Sequence, residues 1–305
     1  MKILNFGSIN KDFFYSVNDF VKPGETISSI RYNIKIGGKG LNQSVGISKA
    51  GQNIYHAGII NKDDTFILDM LKKWNINCEN ILLSNNPTGH AIIQVDKKGE
   101  NSIIIHGGAN HDVNIKFIKS VLSKFDSGDI LVLQNEINNI KEIIDRAHHK
   151  KMKIVFNPAP FNYEILSYDL SKISTLILNQ TEGEALSKKK KPDNILKVLN
   201  SRFNNTEIIL TLGEKGSLYS FKDELLKIKA HKLNTVDTTG AGDAFFAAFI
   251  SQLIWSENWS DDTLVTAAKF SNACGALVVQ QKGAMSALPH SGAAQNFILG
   301  KKEHV

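Results

Sequence analysis

Short apolar runs alternate along the chain with longer segments of helical period, and this alternation constrains the fold more than any other feature. Six apolar runs have the length and composition of buried strands; they span 3–6, 54–58, 130–133, 154–156, 175–178 and 208–211. Amphipathic helical segments lie between most of them, at 41–50, 64–74, 115–124 and 137–148. This order predicts an α/β fold, a three-layer αβα sandwich with a mostly parallel central sheet.

Two segments interrupt the alternation. Residues 13–36 are too many for an ordinary connection, and strand-like residues alternate there around Pro23-Gly24. Residues 89–105 contain two strand-like stretches joined by a turn at 97–99. We expect the two segments to pair into a small β-sheet lid. No linker-like tract or repeat is present, so we predict a single domain over 1–305 with lid insertions at approximately 13–36 and 89–105.

The composition excludes several broad classes of protein. No apolar run approaches the roughly 18 residues that a membrane span needs, and the N-terminus lacks the apolar core of a signal peptide. Cys78 and Cys274 form no CxxC pair that would indicate a disulfide framework or a zinc site. The net charge of +6 comes from lysines spread along the chain, and an anionic small molecule is a sufficient partner. We expect a cytoplasmic protein that binds neither membrane nor nucleic acid.

The strongest local signal is VDTTGAGDAF at 236–245, which leads into an apolar helical run. A glycine-rich turn that opens a helix presents unpaired N–H groups and the positive end of the helix dipole, which together bind phosphate. Gly240 and Gly242 permit a ligand to approach closely. Asp243 could accept a proton from a hydroxyl that attacks a phosphoryl group. The alternative is that Asp243 only caps the helix.

A second glycine-rich stretch, GGKGLNQ at 37–43, also precedes a helical segment. Lys39 and Asn42 carry donors for a polyhydroxylated ligand; the alternative is a flexible turn with an exposed lysine. A Walker A loop would need other residues at Asn33 and Gly40, and a dinucleotide fingerprint would need Gly or Ala at Phe245. The HRD, DFG, HExxH and GxSxG motifs are absent from the sequence.

Both glycine-rich stretches, in this order and about 200 residues apart, resemble motifs of the ribokinase-like (PfkB-type) carbohydrate kinases. GGKGLNQ is similar to the family's sugar-site motif, and DTTGAGDAF is similar to its catalytic and anion-hole motif. Further stretches occur in the family's order: GSINKD, PGETI, LVLQNEI, FNPAP, LNQTEGE and TLGEKG. The resemblance runs from Gly7 to Pro289 and implies a ribokinase-like fold and an ATP-dependent sugar kinase.

The resemblance also implies roles for individual residues. Asp243 would take the proton from the primary hydroxyl of the sugar, and the turn of Gly240, Ala241 and Gly242 would form the anion hole with it. The sugar would be bound by Asn10, Asp12, Gly38, Lys39, Asn42, Glu136 and Asp243. ATP would be bound by Asn179, Thr211, Leu212, Gly213, Glu214, Lys215, Gly216, Gly242 and Asn272.

Two metal ions are implied in the same way. Asn179 and Glu182 would organise Mg²⁺ through water, since Mg²⁺ keeps much of its hydration shell. The family often binds a monovalent cation beside the anion hole, with ligands here at Asp237, Thr239, Val278, Gln281 and Gly283. Ala287 stands where the family usually has serine, so a requirement for K⁺ stays open.

Within the family, the residues around Asn10, Lys39 and Glu136 resemble the ribose-phosphorylating members most, which implies D-ribose as substrate and D-ribose 5-phosphate as product. Another pentose, deoxyribose, a ketose or a nucleoside stay as alternatives, and a catalytically silent sugar-binding regulator is a more remote one. Lids in this family often pair between subunits, so the resemblance also implies a homodimer through the lid.

Overall fold

The computed structural model describes residues 1–221, 224–231, 233, 235–236, 240–255, 261–280 and 296. Its strands are Ile3–Phe6 (β1), Asn10–Ser16 (β2), Arg31–Gly37 (β3), Ile54–Asn61 (β4), Ile76–Ser84 (β5), Gly89–Val95 (β6), Asn101–His106 (β7), Ile130–Gln134 (β8), Lys153–Asn157 (β9), Thr175–Asn179 (β10), Glu207–Thr211 (β11), Ser217–Phe221 (β12) and Glu224–Ile228 (β13). Its helices are Lys39–Lys49 (α1), Phe66–Lys73 (α2), Ile115–Leu122 (α3), Ile140–His149 (α4), Gln180–Ser187 (α5), Pro192–Arg202 (α6), Ala241–Trp255 (α7) and Asp261–Val278 (α8).

The larger sheet has nine strands in the order β13-β12-β11-β10-β9-β8-β1-β4-β5. Neighbouring strands from β11 to β5 are parallel, and only β12 runs in the opposite direction, so it pairs antiparallel with both β11 and β13. All six predicted buried strands are present, which confirms the predicted fold class. The prediction missed β5 and β13, which lie at the two edges of the sheet and mix apolar with exposed polar residues, and it missed β12, whose apolar pattern is interrupted by the buried Ser217 and Ser220.

Helices cover both faces of this sheet and define two separate apolar cores. Alternate residues of β1 point to opposite cores, as the pleat of a strand requires. Leu4 and Phe6 belong to the core that also contains residues of α3, α4, α5 and α6, whereas Ile3 belongs to the core that contains residues of α1, α2, α7 and α8. The three layers are therefore helix, sheet and helix. None of the helices that the structure describes combines the length and apolar character required to cross a bilayer.

The smaller sheet has four strands in the order β3-β2-β6-β7, and both predicted inserted segments supply its strands. Strand β2 runs antiparallel to β3 and parallel to β6, which pairs antiparallel with β7. Strand β2 starts at Asn10, earlier than the predicted insertion at 13. The two predicted sugar contacts Asn10 and Asp12 therefore lie on a strand of the lid itself.

Candidate active site

The candidate site lies where the parallel strands end and several helices begin, the edge at which open α/β sheets bind ligands. Helix α1 follows the chain's return from the lid to the end of β1, and α5 starts directly after β10. Helix α7 contacts α1 across this edge. The predicted catalytic, sugar-binding and Mg²⁺ residues come from these three helices and the adjoining strands.

A very close approach of two backbone segments places α1 over the end of β1. A Cβ atom at Gly40 would lie 2.3 Å from the backbone nitrogen of Ser8 and 2.7 Å from the Cα of Gly7. Gly38, which precedes the helix, has a φ of 95° that favours glycine. The glycines of the GGKG stretch are therefore required by packing and conformation, and they set the first turn of α1 against residues 7–8.

This contact fixes Glu136 at the start of α1. The Ser8 hydroxyl donates to Glu136 Oε2 at 2.5 Å, and the backbone N–H of Lys39 donates to the same oxygen at 2.9 Å. Burial raises the pKa of Glu136, while the Lys39 ammonium and these hydrogen bonds oppose that rise. Two predicted sugar contacts, Lys39 and Glu136, are thus adjacent in the structure.

Asp243 lies in the first turn of α7, is 7% exposed and faces α1. Asn42 Nδ2 donates to its Oδ2 at 3.0 Å, and Gln43 Nε2 donates to its Oδ1 at 3.1 Å. The amide oxygen of Asn42 is buried and has no hydrogen-bond partner among the residues that the structure describes. A hydroxyl donor bound between Asn42 and Asp243 would satisfy that oxygen.

Lys39 is the cation around which the acidic groups of the site gather. The pKa of the Lys39 ammonium is raised first by Asp243 and further by Glu136 and Glu182, against the opposing effect of burial. The lysine therefore stays charged. Its interaction with acidic groups from α7, α5 and the end of β8 keeps a positive charge beside the candidate base.

The first residues of α7 have the geometry of an anion site. Gly240 precedes the helix with a φ of 82°, and its carbonyl accepts the N–H of Ala244 at 2.8 Å. The N–H groups of Ala241, Gly242 and Asp243 come before this first helical bond, so the helix itself offers them no acceptor. A Cβ at Gly242 would meet no described atom within 4 Å. An anion could therefore approach this turn closely.

Asn10 and Asp12 reach the site from the lid. Asn110, which the sequence analysis did not identify, donates through Nδ2 to Asn10 Oδ1 at 2.7 Å and accepts the N–H of Ile9 at 3.0 Å. Burial, reinforced by Glu136 and opposed by Lys35, raises the pKa of Asp12 to about 6. Asp12 and Glu136 thus form a pair of interacting carboxyl groups, one from the lid and one from the main sheet.

Asn179 and Glu182 form a reciprocal capping box at the start of α5. Glu182 accepts the backbone N–H of Asn179 at 2.9 Å and its side-chain N–H at 2.8 Å, on different carboxylate oxygens. Burial raises the pKa of Glu182. Among the described residues, no group of three or more His, Cys, Asp or Glu side chains could hold a metal ion. A metal here would therefore need ligands from water or a bound phosphate.

Some of the predicted nucleotide-binding residues, the loop 211–216 and Asn272, meet at the end of β13, whereas Asn179 and Gly242 lie at the starts of α5 and α7. The stretch from Thr211 to Gly216 leaves β11 through a 3₁₀ turn, and a Cβ at Gly216 would lie 2.1 Å from the carbonyl oxygen of Ile228. Asn272 of α8 donates to the carbonyls of Ile228 at 3.2 Å and Lys229 at 3.3 Å. The structure therefore brings this loop and Asn272 to one place, although they are far apart in sequence.

Most of the predicted monovalent-cation ligands fall outside the described residues: Asp237, Thr239, Gln281 and Gly283, together with the substituted position Ala287. Val278 is described and is the last residue of α8. The N–H of Val236 donates to the carbonyl of Val279 at 2.7 Å. The chain before Asp237 is therefore held beside the C-terminal end of α8.

Several polar residues of this region were missed by the sequence analysis, and one local signal could have found some of them. Asn5, Gln134 and Asn157 are polar residues inside, or at the ends of, runs that are otherwise apolar strands. Buried polar side chains need hydrogen-bond partners, so such interruptions at the carboxyl ends of strands indicate a site.

Comparisons with known proteins cover nearly the whole chain. The sequence profile of the pfkB family carbohydrate kinases matches residues 1–291. The ribokinase of Haemophilus influenzae is 33% identical over 297 residues, which cover 93% of this chain and 94% of that protein. The ribokinase structure from Thermotoga maritima has a TM-score of 0.84 at 32% identity, with 98% of this chain and 99% of that chain covered. The structure of Arabidopsis thaliana ribokinase with ribose and ATP has a TM-score of 0.82 at 26% identity, with 97% and 98% covered.

The raised pKa of Asp12 predicts a pH-dependent gain in stability for Asp12→Asn. The folded protein binds the Asp12 proton more tightly than the unfolded chain does, so this stabilising contribution is present below the ordinary value of 3.8 and is lost as the pH rises through about 6. We expect Asp12→Asn to raise the free energy of unfolding by roughly 1–3 kcal/mol at about pH 8, and by progressively less toward about pH 5.

Urea denaturation across this pH range measures the effect. Asp19→Asn serves as a control, because Asp19 is an exposed aspartate of the same lid segment and its replacement should change stability little at any pH. If Asp12→Asn raises the free energy of unfolding by the same amount at both ends of the pH range, the raised pKa of Asp12 is contradicted.

Proposed function

Because the chain belongs to the pfkB family of carbohydrate kinases, we propose that it transfers the γ-phosphoryl group of ATP to the primary hydroxyl of D-ribose, giving D-ribose 5-phosphate. The observation that carries this proposal is the position of Asp243. Its carboxylate lies at the N-terminus of α7 beside three N–H groups for which the helix itself has no acceptor, and it faces Asn42 of α1. A base, an anion site and a sugar-binding surface therefore meet at one point, and the related proteins reported above are ribokinases.

In the proposed reaction the sugar hydroxyl attacks the γ-phosphorus of ATP and loses its proton to Asp243, while the bond from phosphorus to the bridging oxygen of ADP breaks. The N–H groups of Ala241, Gly242 and Asp243 would stabilise charge on the transferring phosphoryl group. Lys39 adds a fixed positive charge close to Asp243. Positioning and electrostatic stabilisation supply most of the acceleration in such transfers.

We propose that the sugar lies between the lid and α1. Asn10 and Asp12 would contact its hydroxyls from β2, while Gly38, Lys39, Asn42 and Glu136 would contact it from the main domain. Several of these groups already have fixed directions, because Asn110 holds Asn10 and Ser8 holds Glu136. A polyhydroxylated ligand of pentose size suits this ring of acceptors and donors.

ATP would occupy the region from α5 to the loop 211–216, with Asn272 behind that loop. The residues present fit Mg²⁺ bound through water, because the Glu182 carboxylate and the Asn179 amide can hold its water ligands while the phosphates of ATP supply direct ones. When bound, Mg²⁺ would neutralise phosphate charge, and Asn179 and Glu182 would orient its water ligands. K⁺ would bind near the C-terminal end of α8, where the N–H of Val236 donates to the carbonyl of Val279.

We also propose a homodimer through the lid. Alternate residues of the lid strands share one face: Phe13 pairs with Ile34 and Ile92, and Ile92 pairs with Ile104. On this face Tyr32, Ile34, Ile92 and Ile104 are 39–65% exposed. Asn10 and Asp12 lie on the opposite face, because side chains of a strand alternate. A second copy of the chain would cover the apolar face without blocking the sugar contacts.

Other acceptors belong to the same mechanism and are the alternatives within it: another pentose, deoxyribose, a ketose such as fructose, or a nucleoside. A catalytically silent sugar-binding regulator is disfavoured. The sequence retains Asp243, the glycine turn before it, and the Asn179–Glu182 pair, and a protein that only binds sugar has no need of a base at an anion site.

A coupled assay of ADP release tests the substrate. We expect turnover with ATP, Mg²⁺ and D-ribose, weaker turnover with deoxyribose, and little with fructose, ketodeoxygluconate or nucleosides. We expect K⁺ to raise the rate above that in Na⁺; equal rates would remove the cation from the proposal. Turnover confined to another acceptor would replace ribose, and no turnover with any acceptor would favour a silent binder.

The role of Asp243 is tested by Asp243→Asn, which keeps the size of the side chain but not its basicity. We expect kcat to fall at least about 10²-fold with the fold intact. Asp193→Asn is the matched control, because Asp193 also lies in the first turn of a helix, α6, away from the site. If Asp243 only caps its helix, both variants will lose a little stability and keep their kcat.

The dimer is tested by placing a charge on the apolar face of the lid. We expect Ile104→Asp to convert a dimer into a monomer, because an unpaired carboxylate would be buried in the interface. Light scattering coupled to gel filtration measures the mass. Leu225→Asp is the control, since Leu225 is similarly exposed at 49% but lies on β13. A wild-type monomer, or a dimer that survives Ile104→Asp, would exclude this interface.

A further inference from the structure

A chain of buried amide side chains runs behind Asp243, and the proposed reaction assigns it no task. Gln43 Nε2 donates to Asp243 Oδ1 at 3.1 Å, and Gln43 Oε1 accepts from Gln134 Nε2 at 2.6 Å. Gln134 Nε2 also donates to Asn5 Oδ1 at 3.1 Å. Gln43, Gln134 and Asn5 are each at most 1% exposed. Burying amides is costly unless they are hydrogen-bonded, and Gln134 Oε1 has no partner among the described residues, so this arrangement is retained at some cost in stability.

The orientation of each amide group, oxygen on one side and nitrogen on the other, is fixed in sequence, beginning with a hydrogen bond to the backbone. Asn5 Nδ2 donates to the carbonyl of Gly40 at 2.6 Å, and a backbone carbonyl can only accept. Asn5 must therefore present its oxygen to Gln134. Gln134 must in turn present its nitrogen, since its flipped form would set its oxygen against those of Asn5 and Gln43. Gln43 is then left with only its nitrogen to offer Asp243.

The hydrogen bonds beyond Asn5, at the end of the amide series away from Asp243, have equally fixed directions. Asn5 Nδ2 donates to Ser44 Oγ at 2.8 Å, Ser44 Oγ lies 2.8 Å from His56 Nδ1, and His56 Nε2 lies 3.2 Å from the Gly7 carbonyl. That carbonyl needs a donor, so Nε2 carries the proton and Nδ1 accepts from Ser44. Burial lowers the pKa of His56 to about 4, so the ring stays neutral.

The absence of a side chain at Gly7 leaves space for the buried amide side chains. A Cβ at Gly7 would lie 2.5 Å from Gln134 Oε1 and 3.0 Å from Asn5 Oδ1. The second N–H of Gln43 points to Asn157 Oδ1 at 3.5 Å, and Asn157 donates to the carbonyl of Ile177 at 2.9 Å. Gln43 is thus held directly from β8 and β9, and through Gln134 from β1, and a side chain fixed in this way can hold a base in one orientation.

We propose that Gln43 is a positioning residue for Asp243, and that Gln134 and Asn5 set its direction. Gln43 holds Oδ1 of the base, so that Oδ2, beside Asn42, is the oxygen that receives the hydroxyl proton. This inference rests on the proposed kinase function with Asp243 as base, and it adds a group that contacts neither sugar nor ATP.

Steady-state kinetics of Gln43→Met and Gln43→Glu test the proposal. Both replacements keep the length of the side chain, and neither retains an amide donor. We expect kcat to fall about 10- to 100-fold, with KM for sugar and for ATP changed less than about threefold, since the variants misplace the base without removing a substrate contact. If one variant fails to fold, the kcat and KM of the other still test the proposal. Unchanged kcat, or a loss expressed mainly in KM, would overturn the assignment.

Gln134→Met tests the relay to Gln43. Gln43 keeps its amide donor in this variant, but its amide group loses the hydrogen bond from Gln134 that fixes its orientation. We therefore expect a smaller loss of kcat, about 3- to 10-fold. Combined with Gln43→Met it should add nothing, because both changes disable one unit. Losses that multiply would contradict the relay.

Thr206→Val is the control for general destabilisation. Thr206 is fully buried, donates to the carbonyls of Leu170 and Ile173, and precedes β11 at the opposite end of the strands. We expect it to lower the melting temperature and leave kcat unchanged. A fall in kcat equal to that of Gln43→Met at a similar melting temperature would show a merely structural effect.

Exchange of the Gln43 side-chain amide protons with solvent, followed by NMR on ¹⁵N-labelled protein, separates this inference from the proposed function. We expect slow exchange in the wild type and faster exchange in Gln134→Met, with no turnover needed. A wild type that phosphorylates no sugar but protects these protons would reject the function alone. Fast exchange in an active wild type would reject the positioning role alone.

Discussion

The site depends on the contact between the backbone after β1 and the first turn of α1. With side chains at Gly7 or Gly40 the two segments would overlap, because the hypothetical Cβ atoms fall within 2.7 Å of the opposing backbone. This approach lets Ser8 and the Lys39 N–H share one oxygen of Glu136, and it lets Asn5 reach the Gly40 carbonyl. Two glycines therefore set both the sugar-facing and the buried side of the site.

Charge in the site is arranged around one buried ammonium group. Lys39 interacts with Asp243, Glu136 and Glu182, which come from α7, the end of β8 and α5. Three carboxyl groups without a shared cation would repel one another and resist burial. The lysine offsets that repulsion and leaves each acidic group with a different set of donors. In the proposed function Asp243 would act as base, Glu136 toward the sugar and Glu182 toward Mg²⁺ and the phosphates.

Local pattern predicted the layers, because periodicity reports which face of an element is buried. It predicted six strands of the large sheet and both pairs of lid strands, and the glycine-rich stretches marked where α1 and α7 begin. It could not predict that Asn110 holds Asn10 or that Gln134 directs Gln43, since these partners are 100 and 91 residues apart. Such pairs exist only once the parallel strands lie side by side, and a single polar residue in an apolar run is their only local trace.

The lid strand β2 carries proposed sugar contacts on one face and part of the proposed subunit interface on the other. Asn10 and Asp12 project toward the proposed sugar, and Phe13 belongs to the apolar face that would meet another subunit. Because one pleated strand would carry both the proposed sugar contacts and the proposed subunit contact, ligand selectivity and quaternary structure would depend on the register of the same seven residues.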